Sequence, residues 1–251
     1  NNSIYLLPKI FPEPGIENVA IAVTGVGSAK LFSSLMIGFI PSIDFVDKTQ
    51  VFPLYTYESA EDNISFFDSS SDSEVIFTAP SGKHYIRREN ITDWALEEYR
   101  KRYGEDVTKE DIFYYVYGLL HSFEYRERYR NDLKKMLPRI PFVSSVEDFW
   151  AFSNAGRKLA DLHLNYETIE PWPLKEEING DPNDLATYRV SKMRFRKTQD
   201  RKDDKTTIIY NENITLSGIP LEAYEYIVNG KSPIEWVMER YKVFRDSKSG
   251  I

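Results

Sequence analysis

The middle of the fold is decided by the stretch Thr108-Lys-Glu-Asp-Ile-Phe-Tyr-Tyr-Val-Tyr-Gly-Leu-Leu-His-Ser122. Its first four residues form a capping-box pattern, in which the Thr108 and Asp111 side chains each bond a backbone N–H group of the other residue. Apolar side chains then recur at helical spacing, at Ile112, Phe113, Val116, Tyr117, Leu119 and Leu120. The pattern predicts a helix that is buried.

Helical patterns continue on both sides of this stretch. They begin near Thr92, and after residue 122 a charged amphipathic segment runs to Leu137, where Pro138 ends it. Ser145 then caps a further run of apolar residues, namely Phe149, Phe152, Leu159 and Leu162. The middle third of the chain is therefore predicted to be helical.

The first third alternates short β-type runs with Pro and Gly, which predicts strands joined by turns. The predicted strands are 19–24, 51–57 and 75–79. Residues 68–74 have no apolar period, which predicts an exposed loop.

The last third predicts a hairpin. Residues 174–187 are acidic and rich in Asn, Gly and Pro, which is typical of a linker or surface loop. Residues 188–197 and 206–216 then alternate in the manner of two strands, separated by the charged segment 198–205. This arrangement predicts a β-hairpin with a highly charged tip.

Two short helices are predicted after the hairpin. One opens at Pro220 and ends at Gly230, and Ser232-Pro233 caps the last. The sequence thus predicts the α+β class, with a β-rich N-terminal part, a helical middle and a C-terminal β-hairpin plus helices. We expect residues 1–251 to form a single domain, with 1–90 as a β-rich candidate lobe and 91–251 as a lobe of helices and hairpin.

Composition excludes several classes of protein. With no cysteine, the chain has no disulfide framework, no thiolate metal site and no cysteine nucleophile. No run approaches the roughly 18 apolar residues of a membrane helix, and no signal peptide opens the chain, so we expect a cytoplasmic protein without membrane contact. The first residue is not Met, which fits a fragment of a longer polypeptide.

The net charge of −7 is unevenly distributed. Residues 1–82 carry 3 basic and 10 acidic side chains, and residues 140–187 carry 3 and 9. Residues 83–139 carry 13 and 11, and residues 188–251 carry 13 and 9. Because salt screens charges over about 10 Å, the local balance matters more to a polyanionic partner than the total.

The sequence contains no motif for catalysis. His84, His121 and His163 lack the spacing of a zinc hydrolase, so we expect structural roles for them. Thr24-Gly-Val-Gly-Ser28 lacks the third glycine and the lysine of a phosphate loop, and is predicted to be a turn. The Glu-x-Lys of many metal-dependent nucleases and a Gly-x-Ser-x-Gly elbow are also missing. We therefore expect a non-catalytic binding module without a metal site.

One basic group lies on and around the predicted hairpin tip. Long cationic side chains there could reach phosphates, and Arg could pair bidentately with guanine. The alternative is a solvated hairpin whose cations protect an edge strand. The candidate DNA-binding residues are Lys192, Arg194, Arg196, Lys197, Arg201, Lys202 and Lys205.

A second basic group lies in the segment after residue 122, where cations alternate with Glu124, Glu127 and Asp132. This alternation favours an ordinary salt-bridged helix face over a binding surface. The cations are Arg126, Arg128, Arg130, Lys134 and Lys135.

A series of longer strings spans nearly the whole chain. In order and spacing they closely resemble the C-terminal specificity domain of Type ISP restriction-modification enzymes, which are often labelled as helicases. The strings are Val23-Thr-Gly-Val-Gly-Ser28, Val51-Phe-Pro-Leu-Tyr55, Asp111-Ile-Phe-Tyr-Tyr-Val-Tyr-Gly-Leu-Leu-His-Ser122, Leu137-Pro-Arg-Ile-Pro-Phe142, Gly156-Arg-Lys-Leu-Ala-Asp-Leu-His-Leu-Asn-Tyr-Glu167, Ile209-Tyr-Asn211, Gly218-Ile-Pro220 and Val228-Asn-Gly-Lys-Ser-Pro-Ile-Glu-Trp236.

The resemblance implies a parent polypeptide with a nuclease, an ATP-driven DNA translocase, an adenine methyltransferase and this target-recognition domain. Neither the Asn-Pro-Pro-Tyr type tetrapeptide of such a methyltransferase nor a Walker lysine motif occurs in the chain. ATP, magnesium and S-adenosylmethionine are therefore expected to bind other domains of the parent. The implied partners are double-stranded DNA and the methyltransferase and translocase domains.

The implied function is sequence-specific recognition of double-stranded DNA, which positions the methyltransferase on its adenine and signals the motor. Strings shared by enzymes with different targets are expected to be scaffold, so base contacts should come from loops that are free to differ. The candidate segments are 25–34, 79–88 and 192–205. The alternative is an intramolecular or protein-interaction module of the same helicase-like enzyme that makes no DNA contact.

Overall fold

A computed structural model describes residues 3–60, 75–190 and 192–245. The predicted loop 68–74 lies outside these residues. The backbone forms two compact units, Asn1–Ile169 and Glu170–Ile251. The β-rich first third and the helical middle therefore share the first unit. That residues 1–251 form a single domain stays a prediction.

The first unit contains two antiparallel three-stranded sheets. The predicted strand 51–57 is interrupted at Leu54, which is buried. The Leu54 N–H group donates to Val19 O (2.8 Å) and its carbonyl accepts from Asn90 N (2.9 Å), so the chain passes from one sheet to the other at this residue. One sheet has the order β2-β1-β3 and the other β4-β6-β5, with β1 at Ala20–Val23, β2 at Ser34–Ile37, β3 at Gln50–Pro53, β4 at Tyr55–Ser59, β5 at Val75–Thr78 and β6 at His84–Glu89.

The helices of this unit begin where the capping residues predict. The box at Thr108 is confirmed, because Asp111 N donates to Thr108 Oγ1 (3.1 Å) and Thr108 N donates to Asp111 Oδ2 (3.0 Å). Thr92 and Ser145 also cap helices. The helices are α1 at Ser3–Ile10, α2 at Asp93–Tyr103, α3 at Lys109–His121, α4 at Phe123–Arg128 and α5 at Val146–Leu164.

The predicted helix from residue 122 to Leu137 is wrong beyond Arg128, where α4 ends and turns follow. The Tyr125 hydroxyl donates to Arg139 O (2.9 Å), which requires the chain to fold back on itself. A continuous helix would place residue 139 about 20 Å further along the axis. The burial of Tyr125 and Leu133 in the core stabilises the folded-back path.

The core of the first unit is built around the crossing of α3 and α5. Gly118 and Gly156 face each other there, and a Cβ atom added at Gly156 would lie 2.8 Å from Gly118 N and in severe overlap with Tyr114 O. The two backbones are therefore in direct contact. The largest side chains beside this crossing, Tyr115, Tyr117 and Phe149, are fully buried.

The second unit is a four-stranded antiparallel sheet in the order β7-β10-β9-β8, followed by a helix. Ser232 and Glu235 form the capping box of that helix, as Ser232-Pro233 predicts. The strands are β7 at Lys175–Ile178, β8 at Arg194–Lys197, β9 at Asp203–Ile209 and β10 at Ile214–Ser217, and the helix is α6 at Pro233–Arg240. Short 3-10 helices lie at Leu185–Tyr188 and Leu221–Tyr224. The α+β class, with its β-rich start, helical middle and C-terminal strands and helix, is confirmed.

Two predictions for this unit need correction. The predicted linker 174–187 contains β7, a wholly exposed edge strand whose polar residues hide it from an apolar pattern. The predicted strand 206–216 is two strands, because the Asn211 side-chain oxygen accepts from Asn213 N and Ile214 N (both 2.8 Å) and closes a turn between β9 and β10.

Candidate nucleic-acid interface

The predicted hairpin is formed by β8 and β9, joined by a tight turn. Arg201 N donates to Thr198 O (2.9 Å), Thr198 N donates to Lys202 O (2.9 Å), and Lys202 N donates to Thr198 Oγ1 (3.1 Å). Arg201 has a φ angle of 58°, the left-handed conformation that hairpin turns of this length use at their last position. A cationic residue therefore occupies a position that usually holds Gly or Asn.

The two faces of β8 have different surroundings. Phe195 packs on the core of the second unit, with its ring 5.9 Å from the Tyr224 ring, whereas Arg194 and Arg196 are exposed on the opposite face. This follows from the period of two along a strand. The sheet core thus anchors β8 through Phe195 and presents both guanidinium groups to solvent.

The pairing of β8 with β9 is irregular after Phe195. Phe195 is paired with Ile208, but Arg196 is paired with Asp204, so three residues of β9 form a bulge between these pairs. A bulge increases the local twist and re-aims the side chains beside it. The outer half of the hairpin, with Arg196 and the turn, is therefore set at a different angle from the inner half.

Lys205 lies in this bulge and is held by the second unit itself. Its ammonium is 3.3 Å from Glu235 Oε1 and 4.8 Å from the centre of the Tyr224 ring, and its carbonyl accepts from the Tyr224 hydroxyl (2.7 Å). Of the seven candidate residues, Lys205 is thus the most engaged in packing. Its role in the structure is to join β9 to α6.

The remaining candidates lie on the surface of the hairpin. Lys197 pairs with Asp203 across the two strands (2.7 Å), but both side chains are about half exposed, so the pair is weak and can be exchanged for another anion. Hydrogen bonds from Thr206 lower the pKa of Asp204, and the charge of Arg196 adds to this effect. Lys192, Arg194, Arg196, Arg201 and Lys202 are exposed and have no ion-pair partner within the described residues.

An open groove of about 620 Å³ lies between the hairpin base and α6. Lys231 and Lys242, which were not among the predicted site residues, line this groove together with Lys192 and Phe195. Lys231 pairs with Glu239. No local signal could have joined these residues to the hairpin, since only the packing of α6 on the sheet brings them there. The charged side chains that line the groove are three lysines and two glutamates, Glu235 and Glu239.

The other two candidate segments lie in the first unit. Residues 25–34 connect β1 to β2, and Gly27 has a φ of 73°, so the Gly-x-Gly string is a turn as predicted. Residues 79–88 contain the turn from β5 to β6 and most of β6, where Arg87 lies over the Tyr55 ring (4.3 Å) and Arg88 pairs with Glu58 (3.5 Å).

Two of the three histidines lie side by side in the first unit. His121 and His163 come together at the C-terminal ends of α3 and α5, with ring centres 5.8 Å apart, and the Tyr117 hydroxyl bonds His163 Nδ1. Burial lowers the pKa of both imidazoles, that of His121 to about 2. Within residues 3–60, 75–190 and 192–245, no group of His, Asp and Glu has the arrangement of a metal site, and no helix has the length and apolarity to cross a membrane.

One of the comparisons with known proteins identifies a family over the whole sequence. Residues 1–251 match the family model of the Type ISP C-terminal specificity domain. No curated protein matches the chain. Three solved structures are similar at 32–35% identity. A nuclease-deletion mutant of the Type ISP restriction-modification enzyme LlaGI in complex with a DNA substrate mimic is 35% identical, with a TM-score of 0.69 over 98% of this chain and 19% of that one.

The two others are also structures with DNA. The DrdV–DNA complex is 32% identical, with a TM-score of 0.77 over 97% of this chain and 22% of that one. The ATP-dependent Type ISP restriction-modification enzyme LlaBIII bound to DNA is 32% identical, with a TM-score of 0.74 over 98% of this chain and 14% of that one. The chain therefore spans between a seventh and about a fifth of the length of these proteins.

Proposed function

Since this chain belongs to the family of Type ISP C-terminal specificity domains, we propose that it recognises a specific sequence in double-stranded DNA. The β8–β9 hairpin makes the principal contacts and docks in the major groove. Solved relatives at 32–35% identity that hold DNA support this partner. No bond is made or broken by the chain itself.

The observation that carries the proposal is the set of unpaired cations on a rigidly anchored hairpin. Phosphate contacts fix the register of a protein on DNA, and they need exposed cations that the protein has not already neutralised. The hairpin supplies them at Lys192, Arg194, Arg196, Arg201 and Lys202.

The geometry suggests different roles for the arginines of β8 and for the cations of the turn. Arg194 and Arg196 share one face of β8, and the guanidinium fork can pair bidentately with O6 and N7 of guanine. Arg201 and Lys202 lie at the turn, where they reach the phosphates that border the groove. The bulge lies between Phe195 and Arg196, so it sets the angle between Arg194 and the outer half of the hairpin, which holds Arg196 and the turn.

In the parent polypeptide, binding of the site would position an adenine methyltransferase on its base and signal a translocase and nuclease. ATP, magnesium and S-adenosylmethionine would be bound by those other domains. The described residues contain no carboxylate or histidine cluster that fits a metal ion. The role of this chain would be to position the DNA for those domains.

The test is selection of duplexes from a randomised pool by the chain at two salt concentrations, with binding followed by fluorescence anisotropy. We expect enrichment of one short asymmetric site. The variant Arg194→Ala/Arg196→Ala/Arg201→Ala/Lys202→Ala should lose this enrichment. The slope of log K against log salt should fall by about 2, because Arg201 and Lys202 are the phosphate contacts and about 0.9 counterion is released per contact.

A matched control removes the same charge elsewhere. The variant with alanine at four exposed cations of the first unit should keep the enrichment, these cations being Lys9, Lys101, Arg102 and Lys158. Salt-dependent binding of the wild-type chain without enrichment would sink the proposal of sequence-specific recognition. Equal loss in both variants would show that the hairpin has no special role.

Arg201 offers a second test, because its charge and its backbone conformation can be separated. Arg201→Gly should raise the free energy of unfolding by roughly 0.5 kcal/mol, since glycine adopts the left-handed conformation without strain. The same change should weaken DNA binding. Arg201→Ala should weaken binding equally while leaving the strain in place. Urea unfolding and anisotropy measure the two effects, and unchanged binding in both variants would remove Arg201 from the interface.

A protein-interaction module is the second candidate function. It is favoured by a run of apolar side chains after β2, where Phe39, Ile40 and Ile43 are 52%, 52% and 71% exposed. Adjacent exposed apolar residues are typical of a surface that another domain covers. Failure of the wild-type chain to bind any duplex at low salt would favour this function.

A further inference from the structure

Two loops of the first unit interlock beside β1. The loop after β1 contains Gly25, and the backbone of Lys48 from the loop before β3 lies directly against it. A Cβ atom at Gly25 would lie 2.8 Å from Lys48 Cβ and would overlap Lys48 O. Gly25 N donates to Asp47 O (3.0 Å), and the Lys48 ammonium donates to Gly27 O (2.7 Å). Only glycine at residue 25 permits this approach.

The second loop is strained at the point of contact. Asp47 and Lys48 have φ angles of 65° and 51°, so two successive non-glycine residues are left-handed. Each such residue costs about 1 kcal/mol or more, and persists only where the surroundings fix it. Here the Ser28 hydroxyl holds the Asp47 carboxylate, and Val46 N donates to Thr49 Oγ1 (3.1 Å). These hydrogen bonds stabilise the left-handed conformation of the loop, which places Lys48 on the surface beside Gly27.

Further lysines converge on the same place from a distant part of the chain. Gly27 N donates to Lys134 O (3.2 Å). This hydrogen bond places the turns after α4 against the loop that follows β1. We call the exposed residues Lys30, Lys48, Lys134 and Lys135 the lysine junction. Lys30 and Lys135 are 105 positions apart in the sequence. Within the described ranges none of the four lysines forms an ion pair.

The charge of this surface contrasts with that of its unit. The first unit has 18 basic and 25 acidic residues, yet the junction places four exposed lysines on loops that carry three acidic residues, Asp44, Asp47 and Asp132. The sequence favoured a salt-bridged helix face for the cations after residue 122. In the structure the helix ends at Arg128, Arg130 pairs with Glu127, and Lys134 and Lys135 have no ion pair within the described residues. Lys134 and Lys135 therefore remain available to an external anion.

We propose that the lysine junction binds the phosphodiester backbone of duplex DNA, as a second contact surface on the unit that does not carry the hairpin. The inference rests on the proposed function. Lysine suits a contact that does not read sequence, because its ammonium is a point charge without the fork that pairs with a base edge. The junction therefore adds affinity and salt dependence to binding, whereas the hairpin adds sequence preference.

The test uses the chain with the substitutions Lys30→Gln, Lys134→Gln and Lys135→Gln. Lys48 is left unchanged because its ammonium also holds Gly27. On mixed-sequence duplex DNA we expect affinity to fall about tenfold or more at low salt, and the slope of log K against log salt to fall by about 2 to 3. The duplex site that the chain selects should not change.

The matched control carries Lys9→Gln, Lys101→Gln and Lys158→Gln, three exposed lysines of the same unit. An equal drop in slope for both triple variants, or none in either, would overturn the junction. Site selection that persists with an unchanged slope in the junction variant would overturn it while leaving the proposed function intact. If the wild-type chain selects no site but the slope is still reduced in the junction variant, the junction is supported and the proposed function is overturned. A wild-type chain that binds no duplex at any salt concentration would overturn both.

A second readout does not depend on affinity. Because the chain has no cysteine, Lys134→Cys creates a single attachment point for a photoactivated crosslinker. We expect a protein–DNA adduct from this variant and none from Lys158→Cys, which lies on the exposed face of α5. Equal adducts from both positions would mean that the DNA does not prefer the junction.

Discussion

Gly156→Ala is expected to lower the free energy of unfolding by about 3 kcal/mol or more. A methyl group at residue 156 would overlap Tyr114 O and lie 2.8 Å from Gly118 N. Both are backbone atoms of α3, so no side chain can rotate away to make room. The helices would have to move apart, and the packing of Tyr115 and Phe149 beside the crossing would be lost with them.

Urea unfolding of the variant and the wild-type chain measures this effect. Asn154→Ala is the matched control, because residue 154 is an exposed position of the same helix and should change stability by no more than about 0.5 kcal/mol. A loss below about 1 kcal/mol for Gly156→Ala would mean that α3 and α5 can separate without disturbing the core.

Acidification from pH 7 to 4.5 should lower the free energy of unfolding by about 2 to 3 kcal/mol through His121 alone. Burial lowers the pKa of His121 from 6.5 to about 2, with a smaller contribution from the charge of Arg126. Below pH 6.5 the unfolded chain binds a proton at this residue and the folded chain does not. Stability is therefore greatest above pH 6.5 and falls as the pH decreases.

The hydrogen bonds around the two rings are those of neutral imidazoles, in agreement with the effect of burial on the pKa of each. Arg126 Nη2 lies 3.2 Å from His121 Nδ1, and since a guanidinium only donates, this nitrogen must be an acceptor. The Tyr117 hydroxyl accepts from Met36 N (2.8 Å), which directs its own proton to His163 Nδ1. Protonation of either imidazole would remove the acceptor. The lowered pKa of His163 adds to the acid sensitivity in the same direction.

The measurement is urea unfolding of the wild-type chain and of His121→Gln at several pH values between 7 and 4.5. Glutamine has no charge to gain, so the variant should show a flatter dependence of stability on pH, even if it is less stable at pH 7. Asn154→Gln is the control, because residue 154 is exposed on α5 and neither side chain titrates, so this change should leave the slope unchanged. Parallel curves for wild type and His121→Gln would contradict this account.

Local signals predicted the elements whose ends are set by neighbouring residues. The helices that begin after Thr108, Ser145 and Ser232 are examples, because each cap needs only residues within three positions. The end of α4 could not be predicted in this way. It depends on the hydrogen bond from Tyr125 to Arg139, and the sequence between them has an ordinary helical pattern. β7 was missed because its partner β10 lies some 40 residues away.

The same distinction applies to the candidate site. Alternation around Phe195 predicted the hairpin and its exposed arginines, since period-two patterning is local. The bulge, and with it the contact of Lys205 with Glu235, depends on the pairing of β8 with β9 and on the position of α6. The convergence of Lys48 and Lys134 on Gly27 depends in turn on the fold of the whole first unit.

The division of the chain after Ile169 has a consequence for recombination between related enzymes. The hairpin, its bulge, the groove and the helix that supports them all follow this position. A crossover at residues 169/170 would transfer them as one cassette, with their mutual packing intact. A crossover near Leu54 would instead cut a residue whose two hydrogen bonds tie both sheets of the first unit together. Chimeric specificity domains are therefore best joined at the later position.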